Sequence, residues 1–204
     1  KLYSLKTMIS VKEETNPLFS SGTSLTFNWG GASDIIETVN IILKSRTHNE
    51  KVVSKLQFYI DYLQKGDYNY QDVYGEVPFA ISIDQTKGQL LNNLIGITFV
   101  LDNEYELQVK FEDAQAPLMY YANHSKGSAT VVPGEYKKRC KIGDQLNLPF
   151  LNWKINTLSQ GEKLQGKTYY IRFNNFDEVV KKGQNVSIEI DPKAASILVL
   201  SMQG

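Results

Sequence analysis

Apolar and polar residues alternate with a period of two through most of this chain. Residues 25–29 read Leu-Thr-Phe-Asn-Trp, and residues 105–111 read Tyr-Glu-Leu-Gln-Val-Lys-Phe. Because successive side chains of a β-strand point to opposite faces of its sheet, this pattern predicts strands with one buried face. The short link Asp102-Asn103-Glu104 separates residues 105–111 from the apolar run 97–101, so the two runs are predicted to form a hairpin.

The alternation recurs along the whole length and predicts an all-β protein. Further strands are predicted over 5–11, 39–44, 79–83, 129–132, 136–142, 152–155, 168–173, 186–190 and 197–202. A domain boundary is predicted at Asp113–Pro117, which divides the chain into an Ig-like β-sandwich over 1–115 and a second, smaller β domain over 116–204. Residues 50–64 fit a helical face and a strand alike, and their neighbours favour a strand. A short helical turn is predicted at Gln85–Leu94.

Charge and cysteine content exclude several classes of protein. Lys and Arg number 22 and Asp and Glu number 22, so the chain lacks the basic excess that a nucleic-acid-binding protein uses against phosphates. Cys140 is the only cysteine, which excludes a disulfide-stapled fold. No apolar run approaches the roughly 20 residues of a membrane-spanning helix. The chain begins with Lys1 rather than Met, which is compatible with an export signal or lipid anchor removed during maturation.

The residues that could perform catalysis or bind metal are few. With two histidines, His48 and His124, and one cysteine, no Cys/His zinc set can be assembled, and no cofactor or metal is predicted. Cations surround Cys140 and could favour a thiolate, and His124 could serve as its base. The competing interpretation, which we favour, is a strand residue in an edge strand that lysines guard against pairing. No Gly-x-Ser-x-Gly or phosphate-binding loop is present.

A cluster of tyrosines is the strongest candidate for a binding site. Five of the chain's twelve tyrosines lie between Tyr59 and Tyr74, in the company of Asp, Asn and Gln. Such a mixture suits a recognition surface, since tyrosine offers a broad apolar face and one polar tip. The predicted ligand-binding residues are Tyr68, Asn69, Tyr70, Asp72 and Tyr74. The alternative, weighed equally, is that these tyrosines are half-buried strand residues, because strands are rich in tyrosine. Trp29 and Trp153 are assigned to the core.

Residues 23–112 contain an ordered set of motifs that resembles a known family. The motifs are Ser-Leu-Thr-Phe-Asn-Trp at 24–29, Glu-Thr-Val-Asn-Ile-Ile-Leu at 37–43, Phe-Ala-Ile-Ser-Ile-Asp at 79–84, Gln-Leu-Leu-Asn-Asn-Leu-Ile-Gly at 89–96 and the strand at 105–111. This order is similar to the N-terminal Ig-like domain of the SusE/SusF-type surface lipoproteins of Bacteroidetes. The resemblance implies an Ig-like sandwich, anchored at an outer membrane, that binds glycans or acts as a spacer in polysaccharide uptake.

Three functions from different classes follow. The first is a non-enzymatic cell-surface binding module whose partner is a glycan or a protein, with no nucleic acid and with membrane contact only through a removed lipid anchor. The second is a structural subunit of a pilus, fibre or capsid, in which the alternating segment Leu2–Val11 is an edge or exchanged strand. The third is a carbohydrate hydrolase, for which the 22 acidic residues offer many carboxylate pairs but no specific constellation.

Overall fold

The computed structural model describes residues 4–10, 32–158, 163–185, 187–191 and 194–203. Fifteen strands and three helices occur in this part of the chain, and every pairing between named strands is antiparallel. The sheets form a sandwich-like arrangement, so the predicted all-β class is confirmed. The predicted strand at 25–29 and its Trp29 lie outside the described residues.

The chain divides into two compact units, and the second is inserted into the sequence of the first. The first unit consists of residues 1–55 and 180–204, and the second consists of residues 56–179. The division therefore differs from the predicted domains 1–115 and 116–204, because the expected boundary at 113–117 lies inside the second unit. Two distant stretches of chain make up the first unit, and no local composition signal marks such a pairing of the chain's ends.

The first unit joins the two ends of the chain through one sheet. Strands β1 (Ser4–Ser10), β14 (Ser187–Asp191) and β15 (Ala194–Gln203) form a three-stranded sheet in the order β1-β15-β14. The unit also contains helix α1 (Ala32–Lys44), nearly all of helix α2 (Arg46–Leu56) and the end of helix α3 (Phe176–Gln184).

The predicted strand over 39–44 is wrong, since these residues belong to α1. Although Val39, Ile41 and Leu43 alternate, apolar residues at 35, 36, 39, 42 and 43 also follow helical spacing. Val39 and Leu43, one turn apart, are both half-buried, whereas Ile41 is 64% exposed. Partial burial in this stretch thus follows the i, i+4 spacing of Val39 and Leu43, while Ile42 is 50% exposed.

The ambiguous segment 50–64 is divided between a helix and a strand. Helix α2 covers its first half and ends at Leu56, and strand β2 (Ile60–Lys65) covers the rest. The helix begins after Ser45, whose hydroxyl accepts a hydrogen bond from the His48 amide at 3.2 Å, as expected of an N-cap. Asn49 of α2 is buried, and its side-chain amide nitrogen donates to the carbonyl oxygens of Leu43 and Ser45 at 2.8 and 2.9 Å.

Three antiparallel sheets build the second unit. Its remaining strands are β3 (Tyr70–Asp72), β4 (Phe79–Ile83), β5 (Gln89–Leu90), β6 (Ile95–Leu101), β7 (Glu104–Phe111), β8 (Gln115–Tyr120), β9 (Ser125–Thr130), β10 (Gly134–Lys141), β11 (Gln145–Leu148), β12 (Leu151–Thr157) and β13 (Thr168–Phe173). The strand orders are β10-β7-β6-β13-β2-β3, β11-β12-β4 and β5-β8-β9. The predicted hairpin of residues 97–101 and 105–111 is confirmed as β6 and β7.

An aromatic core lies between the six-stranded sheet and the sheet of β4 and β12. The Trp153 ring is fully buried, as predicted, and its indole nitrogen donates to the Tyr105 hydroxyl at 3.1 Å. The Phe79 ring packs on those of Phe99 and Tyr169, at centroid distances of 5.4 and 5.3 Å. Side chains of both sheets thus pack in one core. This packing determines which face of the six-stranded sheet is buried.

The helical turn predicted at Gln85–Leu94 is wrong, because this segment contains the short strand β5 and loops. Leu90 and Leu91 are both buried, so two successive side chains are covered instead of one helical face. Gln89 supplies the reason, since its buried side chain exchanges two hydrogen bonds with the Asn152 backbone, at 2.9 and 3.0 Å. A tertiary contact of this kind overrides local helix preference.

Candidate functional site

The six-stranded sheet has one buried face and one polar face, which we call the open face. Register places one row of the open face across all six strands: Lys137, Gln108, Gly96, Tyr170, Leu63 and Asp72. Of these, only Leu63 is buried. The alternate positions carry the buried side chains, among them Val109, Ile97 and Ile171. The period of two read in the sequence therefore separates a core face from a face on which five of these six residues are partly or fully exposed.

Three tyrosines lie on or beside the open face near the β2–β3 hairpin. Tyr70 pairs with Lys65, so it shares a face with Asp72 and Tyr170. The rings of Tyr70 and Tyr170 meet edge to face with centroids 4.8 Å apart. Tyr68 lies in the link between the two strands and is 96% exposed. The hairpin thus presents one free aromatic ring two residues from an oriented aromatic pair.

The two predicted polar ligand-binding residues help to shape the same hairpin. The Asn69 carbonyl accepts a hydrogen bond from the Gly66 amide at 2.9 Å, which closes the turn. A Cβ at position 66 would lie 2.9 Å from that carbonyl oxygen, so the close approach requires glycine. One Asp72 carboxylate oxygen accepts from the Tyr74 amide at 2.9 Å. Both Asn69 and Asp72 remain exposed, which leaves the Asn69 amide group and the second Asp72 oxygen facing solvent.

Tyr74 lies apart from the other predicted site residues. Its ring packs edge to face on Phe58 and Tyr62, at 5.3 and 6.1 Å, and its hydroxyl donates to the Leu56 carbonyl at 2.8 Å. Tyr62 points to the buried face of the sheet, opposite to Leu63 and Tyr170. The structure therefore brings Tyr68, Asn69, Tyr70 and Asp72 together on one hairpin and separates Tyr74 from them, although the sequence grouped all five.

Tyr170 belongs to the site and was missed by sequence reasoning. It is half-buried on β13, and its ring also lies over Gly96, where an added Cβ would be 3.7 Å from it. The available signal was parity: Thr168, Tyr170 and Arg172 occupy the polar positions of a strand whose alternate positions are buried. A tyrosine at a polar position of a central strand is a candidate for the surface rather than for the core.

A charged cluster borders the aromatic residues on the open face. Arg172 donates through Nε and Nη2 to one Asp61 oxygen, at 2.9 and 2.6 Å, and Asn174 donates to the other at 2.7 Å. Thr98 and Thr168 share a hydrogen bond of 3.0 Å across β6 and β13. These polar groups hydrogen-bond to one another, which orients their side chains on the open face.

Cys140 lies in an edge strand, as the favoured interpretation predicted. Strand β10 is one of the two outer strands of the six-stranded sheet, and Cys140 pairs with Tyr105. Burial raises the pKa of the Cys140 thiol, which outweighs the opposite influences of the Tyr105 hydroxyl and Lys138. His124 instead stacks on Phe176, with ring centroids 3.7 Å apart. The geometry therefore offers no support for a Cys–His catalytic pair.

Within the described ranges, no group of three or more His, Cys, Asp or Glu side chains is placed to hold a metal ion. None of the helices found there is long and apolar enough to cross a bilayer.

Comparison with known proteins gives no family assignment. No family model matches the chain, and neither does any curated protein. Two crystal structures of Xanthomonas campestris FlgL, in space groups H3 and C2, are similar to 81% of this chain and to 72% and 69% of their own chains. Identity is 11% and 10%, and both TM-scores are 0.20. A likeness this weak supports no statement about fold or function.

Proposed function

We propose that this protein is a non-catalytic binding module that recognises a glycan at the tyrosine-bearing end of its open face. The binding residues are Tyr68, Tyr70 and Tyr170, with Asn69 and Asp72 as hydrogen-bond partners. Tyr74, which the sequence placed in this set, acts as a support for the segment that follows β3.

The observation that carries the proposal is the exposure of Tyr68 beside the Tyr70–Tyr170 pair. Tyr68 is 96% exposed and Tyr70 is 42% exposed, so neither ring is needed to fill the core. The pair is nevertheless oriented, because the two rings meet edge to face at 4.8 Å. An oriented, accessible aromatic surface supports recognition, since binding then costs little side-chain entropy.

Glycans suit this surface better than other ligands do. A sugar ring has an apolar face of C–H groups that can stack on tyrosine, and hydroxyls around its rim that need donors and acceptors. The Asn69 amide and the Asp72 carboxylate are exposed next to the tyrosines and provide both. Basic residues do not dominate here, which disfavours phosphate-rich ligands.

We extend the proposal to cellular location because residues 23–112, in which the motifs at 79–84 and 105–111 coincide with strands and the motif at 37–43 lies in helix α1, resemble SusE/SusF-type lipoproteins. A module of that kind would be held at the surface of an outer membrane by a lipid anchor and would meet polysaccharides there. In this proposal the open face holds the polymer and does not cleave it.

A glycan array combined with polysaccharide pull-down tests the proposal. The purified chain is expected to bind a defined set of glycans, and free oligosaccharide should compete for binding. The triple variant Y68A/Y70A/Y170A should lose the signal while remaining folded by circular dichroism. Absence of any bound glycan at high protein concentration, or equal binding by the triple variant, would overturn the proposal.

A further inference from the structure

We infer that the outer edge of β10 is a second recognition site, which accepts an extended acidic peptide as an added β-strand. The site lies on the opposite edge of the six-stranded sheet from β3 and does not depend on the glycan proposal. Its partner is a protein segment in which acidic residues alternate with apolar ones.

The backbone of β10 presents a regular row of free hydrogen-bonding groups. Strand β10 pairs with β7 without a bulge over eight residues, and in the described part of the chain nothing pairs with its other edge. The Ile142 amide donates to the Asn103 carbonyl at 2.9 Å, which continues this register by one pair. Hydrogen-bonded and non-bonded pairs alternate in an antiparallel ladder, so the amides of Glu135, Lys137 and Arg139 point away from β7.

Charge determines which strand can be added. Strand β10 carries four cations and one carboxylate, Glu135. Arg139 pairs with Glu104 at 2.9 Å and Lys137 with Glu135 at 3.3 Å. Over the described residues, Lys138 has no ion-pair partner within 4.0 Å, and neither does Lys141. An antiparallel second copy of β10 would oppose cation to cation, whereas an acidic strand would meet complementary charge.

A groove beside the strand provides room for alternate side chains of the partner. It measures 610 Å³, and buried Tyr105 and Leu146 lie among its lining residues. Lys138 and Cys140 line it from β10, and Asp144 and Gln145 lie on the other side, where β11 is also an outer strand. Side chains of an added strand alternate, so its apolar residues would enter this groove, along which the Lys138 stem can also pack. Its acidic residues would lie on the other face, which carries Lys137, Arg139 and Lys141, the last without an ion-pair partner in the described part of the chain.

The lysines of this edge have two consequences for strand pairing. Lysine on an outer strand opposes pairing with neutral or basic strands, which protects the protein from aggregation. The same charges favour an acidic strand, because repulsion of wrong partners and attraction of the right one both contribute to specificity. The charge of this edge therefore disfavours pairing with neutral or basic strands and favours pairing with an acidic strand.

Selection from a displayed peptide library tests the inference. The probe is a library of nine-residue peptides with Asp or Glu at alternate positions and random residues between them, and the control library has Lys or Arg at the same positions. The intact chain should enrich peptides from the acidic library only. Enrichment from neither library, or equally from both, would overturn the inference.

A proline variant distinguishes strand addition from simple charge attraction. Lys137→Pro removes an outward amide hydrogen without breaking the β7 ladder, and Lys137→Ala removes the same charge but keeps the amide. Selected peptides should bind Lys137→Pro about tenfold more weakly than Lys137→Ala, because the proline variant cannot donate a backbone hydrogen bond to the peptide. Equal affinity for the two variants would show that no strand is added.

Hydrogen exchange on the unmodified protein gives a measurement that does not depend on the proline variant folding. Binding of a selected peptide should slow exchange of the amides of Glu135, Lys137 and Arg139 by about tenfold or more, since each gains a hydrogen-bond partner. Protection confined to other parts of the chain would contradict the proposed site.

Discussion

Tyr68 and Tyr74 lie six residues apart and differ in their contacts. Tyr68 is 96% exposed, whereas Tyr74 is 43% exposed, packs on Phe58 and Tyr62 and donates a hydrogen bond to the Leu56 carbonyl. Tyr68→Ala should therefore change the free energy of unfolding by less than about 0.5 kcal/mol. Tyr74→Ala should lower it by roughly 1–2 kcal/mol, from one lost hydrogen bond and two lost ring contacts. Urea denaturation measures both values.

Tyr74→Phe is the matched control for this comparison. It keeps the ring contacts and removes only the hydroxyl, so its stability should lie between that of the unmodified chain and that of Tyr74→Ala. If Tyr68→Ala were the more destabilising change, the assignment of Tyr68 to the surface and of Tyr74 to a supporting role would be wrong.

Cys140 should react slowly with alkylating reagents near neutral pH. Burial raises the pKa of its thiol, and the thiolate is the reactive form. The rate of iodoacetamide alkylation should rise with a midpoint above the value of about 8.5 that is typical of an unperturbed cysteine. In denaturant the midpoint should return to the ordinary value. A folded-state midpoint below that value would contradict the effect of burial and would support the interpretation that the surrounding cations favour a Cys140 thiolate.

For single residues, the sequence predicted which side chains share a face of a strand better than it predicted contacts between distant strands. Tyr70 and Asp72 were expected to share a face, and the β2–β3 register places them so. Tyr170 could not be connected to them, because a contact between positions 100 residues apart depends on strand order. Tyr74 was included because period-two spacing was continued beyond Asp72, where β3 ends.

Among the elements, β5 and β12 are joined by a buried polar side chain. Gln89 is fully buried, its amide group donates to the Asn152 carbonyl, and its oxygen accepts from the Asn152 amide. Gln89→Leu would leave both backbone groups without partners in the core. The expected loss is roughly 2–6 kcal/mol of unfolding free energy, since two buried groups lose their partners and each costs about 1–3 kcal/mol.

Gln115→Leu serves as the control for this prediction in the same denaturation experiment. Gln115 is exposed, and its hydrogen bond to Thr130 has water as an alternative. Its substitution should cost less than about 0.5 kcal/mol. Equal losses for the two substitutions would mean that the Gln89–Asn152 pair does not hold β5 and β12 together.

Strands were predicted better than helices because alternation is a local signal. The β6–β7 hairpin and strands β4, β10, β12 and β13 follow the predicted segments closely. Helix α1 was mistaken for a strand, since Val39, Ile41 and Leu43 satisfy both periods and only burial decides between them. The predicted turn at Gln85–Leu94 failed for a different reason, because the Gln89 contact with Asn152 is 63 residues away in sequence.

Across the whole molecule, stability should decrease at alkaline pH. Burial raises the pKa of the Tyr105 and Tyr121 hydroxyls far above the value in an unfolded chain. A group whose pKa is raised on folding contributes stability that is complete below its unfolded pKa, about 10 for tyrosine, and is lost as the pH rises toward the folded value. The unfolding free energy should therefore be lower at pH 11 than at pH 9.

Tyr121→Phe tests the origin of this pH dependence. The variant loses the hydrogen bond from the Tyr121 hydroxyl to the Asn174 carbonyl, 2.7 Å long, so it should be less stable at pH 9. Its stability should then fall less steeply toward pH 11, because one buried phenol no longer has to ionise. Unchanged stability of the unmodified chain between pH 9 and pH 11 would be inconsistent with buried phenols.

The division into two units is the least predictable property of this chain. Residues 1–55 and 180–204 join through β1 and β15, which are the first and last strands described. Both strands were predicted individually, but their pairing spans nearly the full length of the chain. Local composition can mark a boundary between consecutive domains, but it carries no signal for a unit built from two separate segments of the chain.

The most direct test of the glycan proposal is the affinity of Tyr170→Ala for the best-binding glycan, measured by isothermal titration calorimetry beside Tyr74→Phe. Tyr170 entered the site only through the geometry of the sheet, so it tests that geometry more stringently than the hairpin tyrosines do. Tyr170→Ala should bind about tenfold more weakly, as expected for one lost stacking contact of about 1.4 kcal/mol, while Tyr74→Phe binds like the unmodified chain. Full affinity in folded Tyr170→Ala, with loss of binding in Tyr74→Phe, would contradict the account and move the site off the open face.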